Sequence, residues 1–281
     1  MVKKYNKNNT VYKYYNSQGW EFSKKKVMLD EEINVNNNSS CRAYNKLTRR
    51  RVLNELKNCK DKKKLLDVAS GPLHIKEFLE YSKSFSERHC VDFSKIALEK
   101  AKLNLIKNGQ KRCFFYNINF LKSNFKINQF NCAISLHTLY HVDINKQKKF
   151  INKLIKCVKP NGFVIIVYSN PFSLQSILTT PMFIWREFKS LMKNILIKLS
   201  FIKTKNNSLY FKRNSIFWWN NFKKLGEVKI IAERTFSASF EKKIIPNNSF
   251  GKKVYDFLFY FENFAFWKYF STYYIVIIKK K

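Results

Sequence analysis

The sequence predicts a doubly wound α/β fold built around a mostly parallel sheet. Three observations lead to this prediction: short apolar strands alternate with helical segments, polar turns follow the strands, and one strand is apolar along its whole length. Before residue 171 the predicted strands cover residues 65–69, 89–91, 112–116, 130–136 and 163–168. Two further strands are predicted at 228–232 and 273–278.

Helices are predicted between these strands from the spacing of apolar residues. One helix covers residues 44–58, before the first strand, and another begins after Ser94, a residue type that favours the N-cap position. A strongly amphipathic helix runs from Phe150 to Val158. The run Lys159-Pro160-Asn161-Gly162 is expected to end this helix before strand 163–168.

The order of these elements divides the chain into four predicted segments. Residues 1–58 form an N-terminal extension with a helical, aromatic lid, and residues 59–170 form a cofactor-binding α/β core. Residues 171–226 are an inserted helical and aromatic cap, and residues 227–281 supply the final strands. Within the cap, residues 174–201 mix apolar and basic side chains at helical spacing. Packing on the sheet is favoured for them over lying on an anionic membrane.

The formal net charge of +35 is compatible with several negatively charged partners: nucleic acid, anionic lipid or a phosphorylated substrate. It favours a polyanion, but lysines are spread along the whole chain, so a compositional origin is preferred. The six cysteines contain no CxxC pair, which argues against a zinc knuckle or a dithiol redox centre. No secretory segment follows Met1, and the uncharged run between Lys159 and Arg186 is broken by polar residues and prolines. We therefore expect a cytoplasmic protein, with peripheral contact to an anionic membrane as an alternative.

The first two strands end in a pattern that indicates a nucleotide-like ligand. The first strand leads into DVASGPLH at 67–74, where small residues let the backbone approach a ligand closely. The second strand ends at Asp92, and its carboxylate is well placed to accept both hydroxyl groups of a ribose. A purely local role for Asp92, as a partner of the following helix dipole, is the alternative.

At this point the sequence resembles the class I S-adenosylmethionine-dependent methyltransferase family. The similar motifs are LLDVASGP, CVDFS, FNCAISLHTLYHV and LIKCVKPNGFVIIVYS, and the resemblance covers about residues 60–170. It implies a seven-stranded sheet and S-adenosylmethionine as cofactor, with Asp67 and Gly71 by its amino-acid part and Asp92 by its ribose. The cofactor-binding residues implied are Asp67, Ala69, Ser70, Gly71, Asp92, Phe93, Asn117, Ile118 and Leu136.

Four positions depart from the family pattern. Ala69 and Leu73 stand where glycines are common, and Asn131 replaces the usual aspartate of the fourth-strand motif. Asn117 stands where an acidic residue often contacts the adenine amino group, a contact that an amide oxygen can also make.

The catalytic candidates are His137 and His141, after the fourth strand. Histidine has an ordinary pKa near 6.5, which suits a base. His141 has an equally weighted alternative, a hydrogen bond to a backbone carbonyl, and a metal at the two histidines is not expected. Tyr12, Tyr15 and Trp20 of the predicted lid are the candidate substrate residues, and ordinary packing under the sheet is the alternative for this aromatic stretch.

The predicted function is methyl transfer from S-adenosylmethionine to a small molecule, lipid-like or quinone-like, by direct displacement. The [DNS]PP[YFW] motif of amino-methylating nucleic-acid enzymes is missing, and so is a Pro-Cys or Thr-Cys nucleophile of cytosine C5 enzymes. Nucleic acid is therefore not the favoured substrate. The alternatives are an RNA methyltransferase with a basic phosphate-binding surface and an inactive, methyltransferase-like binding module.

Overall fold

A seven-stranded sheet forms the centre of the computed structural model, which describes residues 11–15, 38–110, 112–181 and 210–281. The strand order is β3-β2-β1-β4-β5-β7-β6. The first five strands are parallel, and β7 runs antiparallel to both β5 and β6. The prediction of a mostly parallel, seven-stranded α/β sheet is confirmed. The strands are β1 Lys64–Val68, β2 Glu87–Asp92, β3 Cys113–Asn117, β4 Phe130–Leu136, β5 Val158–Ser169, β6 Gly226–Arg234 and β7 Tyr273–Lys280.

Helices cover both faces of this sheet. They are α1 Ser39–Lys57, α2 Lys76–Glu80, α3 Lys95–Lys107, α4 Ile144–Cys157, α5 Ala238–Ile244 and α6 Ser249–Phe261. The N-cap prediction at Ser94 is confirmed, because its hydroxyl accepts a hydrogen bond from the Ala97 N–H at 3.3 Å. Short 3-10 helices lie at Phe120–Lys122, Leu139–His141, Ile216–Phe222 and Ala265–Tyr269.

Two apolar layers hold the helices against the sheet. On one face, Leu66 and Val164 pack with Leu154 of α4 and the fully buried Trp219. On the other face, Leu65 and Ile165 pack with Leu56 of α1 among other buried residues. Neighbouring residues of β1 and β5 therefore point into opposite layers, as the two-residue period of a strand requires. Because both faces of the central strands are covered in this way, these strands are apolar on both sides.

Helix α4 ends at Cys157, before the Lys-Pro-Asn-Gly run, as predicted, but β5 begins at Val158 instead of 163 and continues through this run to Ser169. Phe130 pairs with Val158 and Cys132 with Phe163, so one residue of β4 faces four residues of β5. Asn161 takes the left-handed conformation, with φ of 62°. A Cβ at Gly162 would lie 2.5 Å from the Asn131 carbonyl oxygen. The Pro-Asn-Gly triplet therefore makes a bulge inside the strand instead of ending it.

The connections at the carboxyl end of the parallel strands determine the surroundings of the site. β5 ends at Ser169, where it pairs with the first residue of β7, Tyr273. The last residue of β6, Arg234, pairs with the same tyrosine. Residues 170–181 therefore begin at this edge, and residues 235–272 both begin and end there, with α5 and α6 in the latter connection.

The structure describes the proposed cap only in part. A helix covers residues 174–181, and the 3-10 helix Ile216–Phe222 follows later, while residues 182–209 lie outside the described ranges. The four segment boundaries stay a prediction. Among the described helices, none combines the length and the apolar character needed to cross a membrane.

Candidate cofactor and acceptor site

The loop after β1 has the backbone of a glycine-rich loop although it contains only one glycine. Ala69, Gly71 and Leu73 have positive φ values of 58°, 61° and 49°. The N–H groups of Ala69 and Ser70 both donate to the Val91 carbonyl of β2, at 2.6 and 3.3 Å. Ala69 and Leu73, which stand where glycines are common, therefore adopt the left-handed conformation that disfavours their side chains.

Asp92 connects this loop to the start of α3. Its Oδ2 accepts a hydrogen bond from the Gly71 N–H at 3.0 Å, and its Oδ1 accepts one from the Ser94 N–H at 2.8 Å. Burial raises the pKa of Asp92 to about 6, although these two hydrogen bonds lower it. The contact with Ser94 fits the alternative role at the helix start. The contact with Gly71 shows that Asp92 also fixes the loop.

Asp67 is held by a partner that the sequence analysis missed. The Nε and Nη2 atoms of Arg88 lie 3.1 and 2.5 Å from Asp67 Oδ2, and both side chains are buried. Arg88 also donates to the Phe78 carbonyl at 2.7 Å. Burial raises the pKa of Asp67, and the Arg88 charge opposes that rise. An arginine inside an apolar strand was the available signal, because a buried charge needs a partner.

Asn117, at the end of β3, directs one half of its amide to the protein backbone. Its Nδ2 donates to the Asp92 carbonyl at 3.2 Å, and the residue lies on the wall of a cavity beside Ile118 and Phe93. Because the donor half is used in this way, the acceptor oxygen is the half left for a ligand. This orientation suits an amino group as the ligand's donor.

Two adjoining cavities lie at the carboxyl edge of the sheet. The larger has a volume of about 790 Å³ and the smaller about 500 Å³, both within the range of about 300–1,000 Å³ that is usual for ligand pockets. Ala69, Asp92, Phe93 and His141 line both. Tyr12, Asn117 and Ile118 line the larger cavity only. The remaining described candidates, Tyr15, Asp67, Ser70, Gly71, Leu136 and His137, line the smaller cavity only.

His137 lies in the smaller cavity in an environment that opposes protonation. Its φ is 53°, and its ring meets the Tyr273 ring edge-on, with 4.9 Å between centroids. Burial, together with the charges of Arg234 and Arg49, lowers the pKa of His137 to about 3. The expectation of an ordinary histidine pKa is therefore wrong at this position, and His137 is neutral throughout the physiological range.

His141 makes the backbone hydrogen bond that was weighed as its alternative role. Its Nδ1 lies 2.8 Å from the Tyr210 carbonyl oxygen, which identifies Nδ1 as the protonated nitrogen and Nε2 as the acceptor. Burial lowers the pKa of His141, and the hydrogen bond to Tyr210 raises it. Within residues 11–15, 38–110, 112–181 and 210–281, His, Cys, Asp and Glu form no group of three or more that could hold a metal ion.

The predicted lid is described at residues 11–15, which form a short helix over both cavities. The Tyr12 and Tyr15 rings lie 5.7 and 6.3 Å from the Phe93 ring, and the Tyr15 ring lies 6.1 Å from the His141 ring. The Ser94 hydroxyl donates to the Tyr15 carbonyl at 3.2 Å. Trp20, the third lid candidate, lies outside the described residues. A role for these residues in substrate binding stays a prediction.

Two arginines at the smaller cavity were absent from the sequence analysis. Arg49 extends from α1 with its guanidinium 5.5 Å from the centre of the Phe78 ring, and Arg234 ends β6. Arg234 forms a two-pronged ion pair with Glu241, at 3.0 and 2.6 Å. Both come from segments outside the family motifs, so only the folded chain brings them to the site.

This fold, with a ligand-sized site where the strands end, defines the class of protein. Residues 66–166 match a family model described as a methyltransferase domain. Over these residues the chain is therefore similar to a methyltransferase domain, and its seven-stranded sheet has the class I fold.

Similar solved structures have the same fold at low sequence identity. An N-methyltransferase, NodS, from Bradyrhizobium japonicum in complex with S-adenosyl-L-homocysteine has 8% identity and a TM-score of 0.54, with 98% of each chain covered. A SAM-dependent methyltransferase from Archaeoglobus fulgidus has 16% identity and a TM-score of 0.51, with 84% of this chain and 94% of that chain covered. Among curated proteins no match is found.

Proposed function

We propose that this chain transfers a methyl group from S-adenosylmethionine to a small, largely apolar acceptor. The observation that carries the proposal is the joint contact of Asp92 with the loop after β1 and with the start of α3. This contact places a buried carboxylate beside a loop whose backbone approaches the larger cavity. The methyltransferase-domain match over residues 66–166 and the complex of NodS with S-adenosyl-L-homocysteine support this choice of cofactor.

The residues of the larger cavity fit an adenosyl group. Each oxygen of Asp92 accepts one backbone hydrogen bond and can accept a second, so the ribose hydroxyls have acceptors at the end of β2. Asn117 offers an amide oxygen to an adenine amino group, and Phe93 offers an aromatic face beside it. When bound, the sulfonium cofactor supplies an activated methyl group, so the chain's main task is alignment of the acceptor.

In this proposal the smaller cavity takes the amino-acid part of the cofactor, at Asp67 and Gly71, together with an acceptor that has an aromatic or apolar body. Tyr15, Phe78 and Tyr140 line it together with Arg49 and Arg234. Both arginines are paired with carboxylates, Arg49 with Glu77 at 3.8 Å and Arg234 with Glu241 at 2.6 Å, but a guanidinium carries further N–H donors. Such donors suit an acceptor oxygen better than an ammonium group, which can only donate. A phenol-like or enol-like hydroxyl, as in a quinol, combines both requirements.

The two histidines take different parts in this proposal. His137 stays neutral beside the arginines and serves to position the acceptor by hydrogen bonding. His141 presents Nε2 with Nδ1 fixed by the Tyr210 carbonyl, which is the arrangement of an oriented general base. We therefore assign removal of the acceptor proton to His141, and the proton moves to its Nε2 atom.

Calorimetry of cofactor binding tests the donor half of the proposal. In Asp92→Asn the amide nitrogen faces one of the backbone N–H donors, and one ribose acceptor is lost. We expect S-adenosyl-L-homocysteine to bind at least about tenfold more weakly, the loss of about one good hydrogen bond to a charged group. Asp256→Asn, at an exposed position on α6, is the matched control and should bind as the unchanged protein does. An unchanged protein that gives no heat and no thermal shift would instead favour the inactive binding module.

Transfer of a radiolabelled methyl group tests the acceptor half. The protein is incubated with labelled S-adenosylmethionine and, separately, with a solvent extract of small molecules or with total RNA. We expect label in the solvent-extractable fraction, and about tenfold less of it with Asp92→Asn when the cofactor concentration is well below its Kd. Label in acid-precipitable RNA would contradict the proposal and support the RNA alternative.

A further inference from the structure

An exposed aromatic surface lies on the connection between β6 and β7. We call it the aromatic surface, and it consists of Phe257, Tyr260, Phe264, Phe266, Tyr269 and Phe270. Phe257, Tyr260 and Phe266 are 57%, 61% and 51% exposed, which is far more than packing requires. Folded monomers seldom leave so many large apolar groups together in water, so this surface calls for a partner.

Ring contacts join four members of the aromatic surface directly and join Phe257 to them through Phe261. The centroids of Tyr260 and Phe264 are 5.3 Å apart, those of Phe264 and Phe266 are 5.9 Å apart, and those of Phe266 and Phe270 are 6.4 Å apart. The Phe270 carbonyl accepts a hydrogen bond from the Leu174 N–H at 2.8 Å, which joins the surface to the helix over 174–181. That helix exposes the aliphatic side chains of Ile177 and Leu178.

The charge around the aromatic surface is positive. Lys242, Lys243, Lys252 and Lys253 are exposed on α5 and α6. Of the three acidic residues in 235–272, Glu241 is buried in its ion pair with Arg234 and Glu262 in one with Arg51, so that Asp256 is the one exposed carboxylate beside these four lysines. Exposed apolar groups beside lysines match the two components of an anionic bilayer surface, a hydrocarbon interior and negatively charged headgroups.

The aromatic surface and the acceptor cavity lie at the same edge of the sheet. The connection that carries the surface begins after Arg234 and ends before Tyr273, and both Arg234 and Ala238 line the smaller cavity. We propose that the aromatic surface docks this protein on an anionic lipid bilayer, with the carboxyl edge of the sheet turned toward the membrane. A membrane-dissolved acceptor would then have a short path to the site, a consequence that rests on the proposed function, whereas the docking itself does not.

The aliphatic groups favour a bilayer over RNA as the partner. Bases stack on aromatic rings, and phosphates are contacted by lysine and arginine, so rings and lysines alone would suit either ligand. Ile177 and Leu178 offer neither stacking nor charge, but they do gain free energy in hydrocarbon. RNA binding is therefore an outcome that the experiment must separate.

Vesicle flotation of the full chain tests the docking. The probes are phosphatidylcholine vesicles, with and without phosphatidylglycerol. The variant is Phe257→Ser with Phe266→Ser, and the matched control is Leu103→Ser with Ile106→Ser, which removes similarly exposed apolar groups from α3 (68% and 60%). We expect flotation with anionic vesicles only, reduced by added salt, and at least tenfold weaker for the phenylalanine pair than for the control.

Several results would overturn this proposal. The proposal is wrong if both variant pairs lose flotation equally, if the phenylalanine pair floats as well as the unchanged protein, or if neutral vesicles float the protein equally. It is also wrong if the phenylalanine pair still binds vesicles but no longer binds an RNA oligonucleotide. Thermal melting establishes that each variant is folded. Cofactor calorimetry is measured in parallel, so a failure of the proposed enzymatic function is distinguished from a failure of docking.

Discussion

Ala69 occupies a backbone conformation that glycine adopts without cost. A left-handed φ brings the Cβ of an L-residue close to the following carbonyl oxygen, at a cost of about 1–2 kcal/mol. The hydrogen bonds from Ala69 and Ser70 to Val91 hold the loop in place despite this cost. Strain of this kind is common where a loop is shaped for a ligand.

Ala69→Gly should therefore stabilise the protein, by about 1 kcal/mol in urea unfolding at neutral pH. The reason is that relief of the left-handed strain outweighs the larger entropy that glycine gives the unfolded chain. Ala43→Gly, at an exposed position inside α1, should have the opposite sign and cost about 1 kcal/mol. Equal destabilisation by both substitutions would contradict a left-handed backbone at Ala69.

Single residues were predicted well where their role is local. Ser94 caps α3 and Asp92 ends β2 as expected, because both roles depend on neighbours in the sequence. The Asp67–Arg88 ion pair joins side chains that are 21 residues apart, and it is not encoded in any local pattern. The low pKa of His137 depends on Arg49 and Arg234, which lie 88 and 97 residues away along the chain.

At the scale of elements, the bulge in β6 buries a carboxyl group without a hydrogen bond. The register shifts between Ala232 and Arg234, which leaves Glu233 as the extra residue. Among the described residues its Oε2 has no hydrogen-bond partner. Burial raises the pKa of Glu233 to about 7, and Arg234 opposes this rise. The folded protein therefore binds this proton more tightly than the unfolded chain does.

This pKa gives a defined pH dependence of stability. Because the folded-state pKa is raised, the contribution of Glu233 is complete below its unfolded value of 4.5 and is lost as pH rises through about 7. Glu233→Gln cannot ionise, so its unfolding free energy does not contain this loss. The difference in unfolding free energy, variant minus unchanged protein, should therefore increase between pH 4.5 and 7 by an amount on the order of 3 kcal/mol. Urea unfolding at several pH values measures this, with Glu227→Gln on the same strand as the control. A difference that is constant with pH would contradict it.

Elements were predicted where hydrophobic periodicity is strong, and missed where it is not. β4 has the predicted bounds, since a run of apolar residues between polar turns leaves little choice. The helices α5 and α6 were not predicted, because aromatic residues cover the exposed as well as the buried side of α6 and obscure its pattern. The same excess of exposed rings forms the aromatic surface, so the failure of the pattern coincides with the proposed docking function.

At the scale of the whole molecule, a net charge of +35 on 281 residues opposes compaction. Added salt screens this repulsion, since the Debye length falls to about 10 Å at 0.1 M ionic strength. We expect the melting temperature to rise by about 2 °C or more between low and moderate sodium chloride. Chloride and sulfate at equal ionic strength should act similarly if screening is the cause. A fall in melting temperature with salt would show that attractive ion pairs dominate.

The position of β7 has a consequence for how the molecule is made. This strand comes last in sequence but lies between β5 and β6, and it supplies the pairing partner of β6 in the sheet. On the ribosome, β6 therefore emerges well before its neighbour and presents unpaired backbone groups during that interval. Synthesis itself thus creates a period of exposure to aggregation, which ends only when residues 273–280 enter the gap.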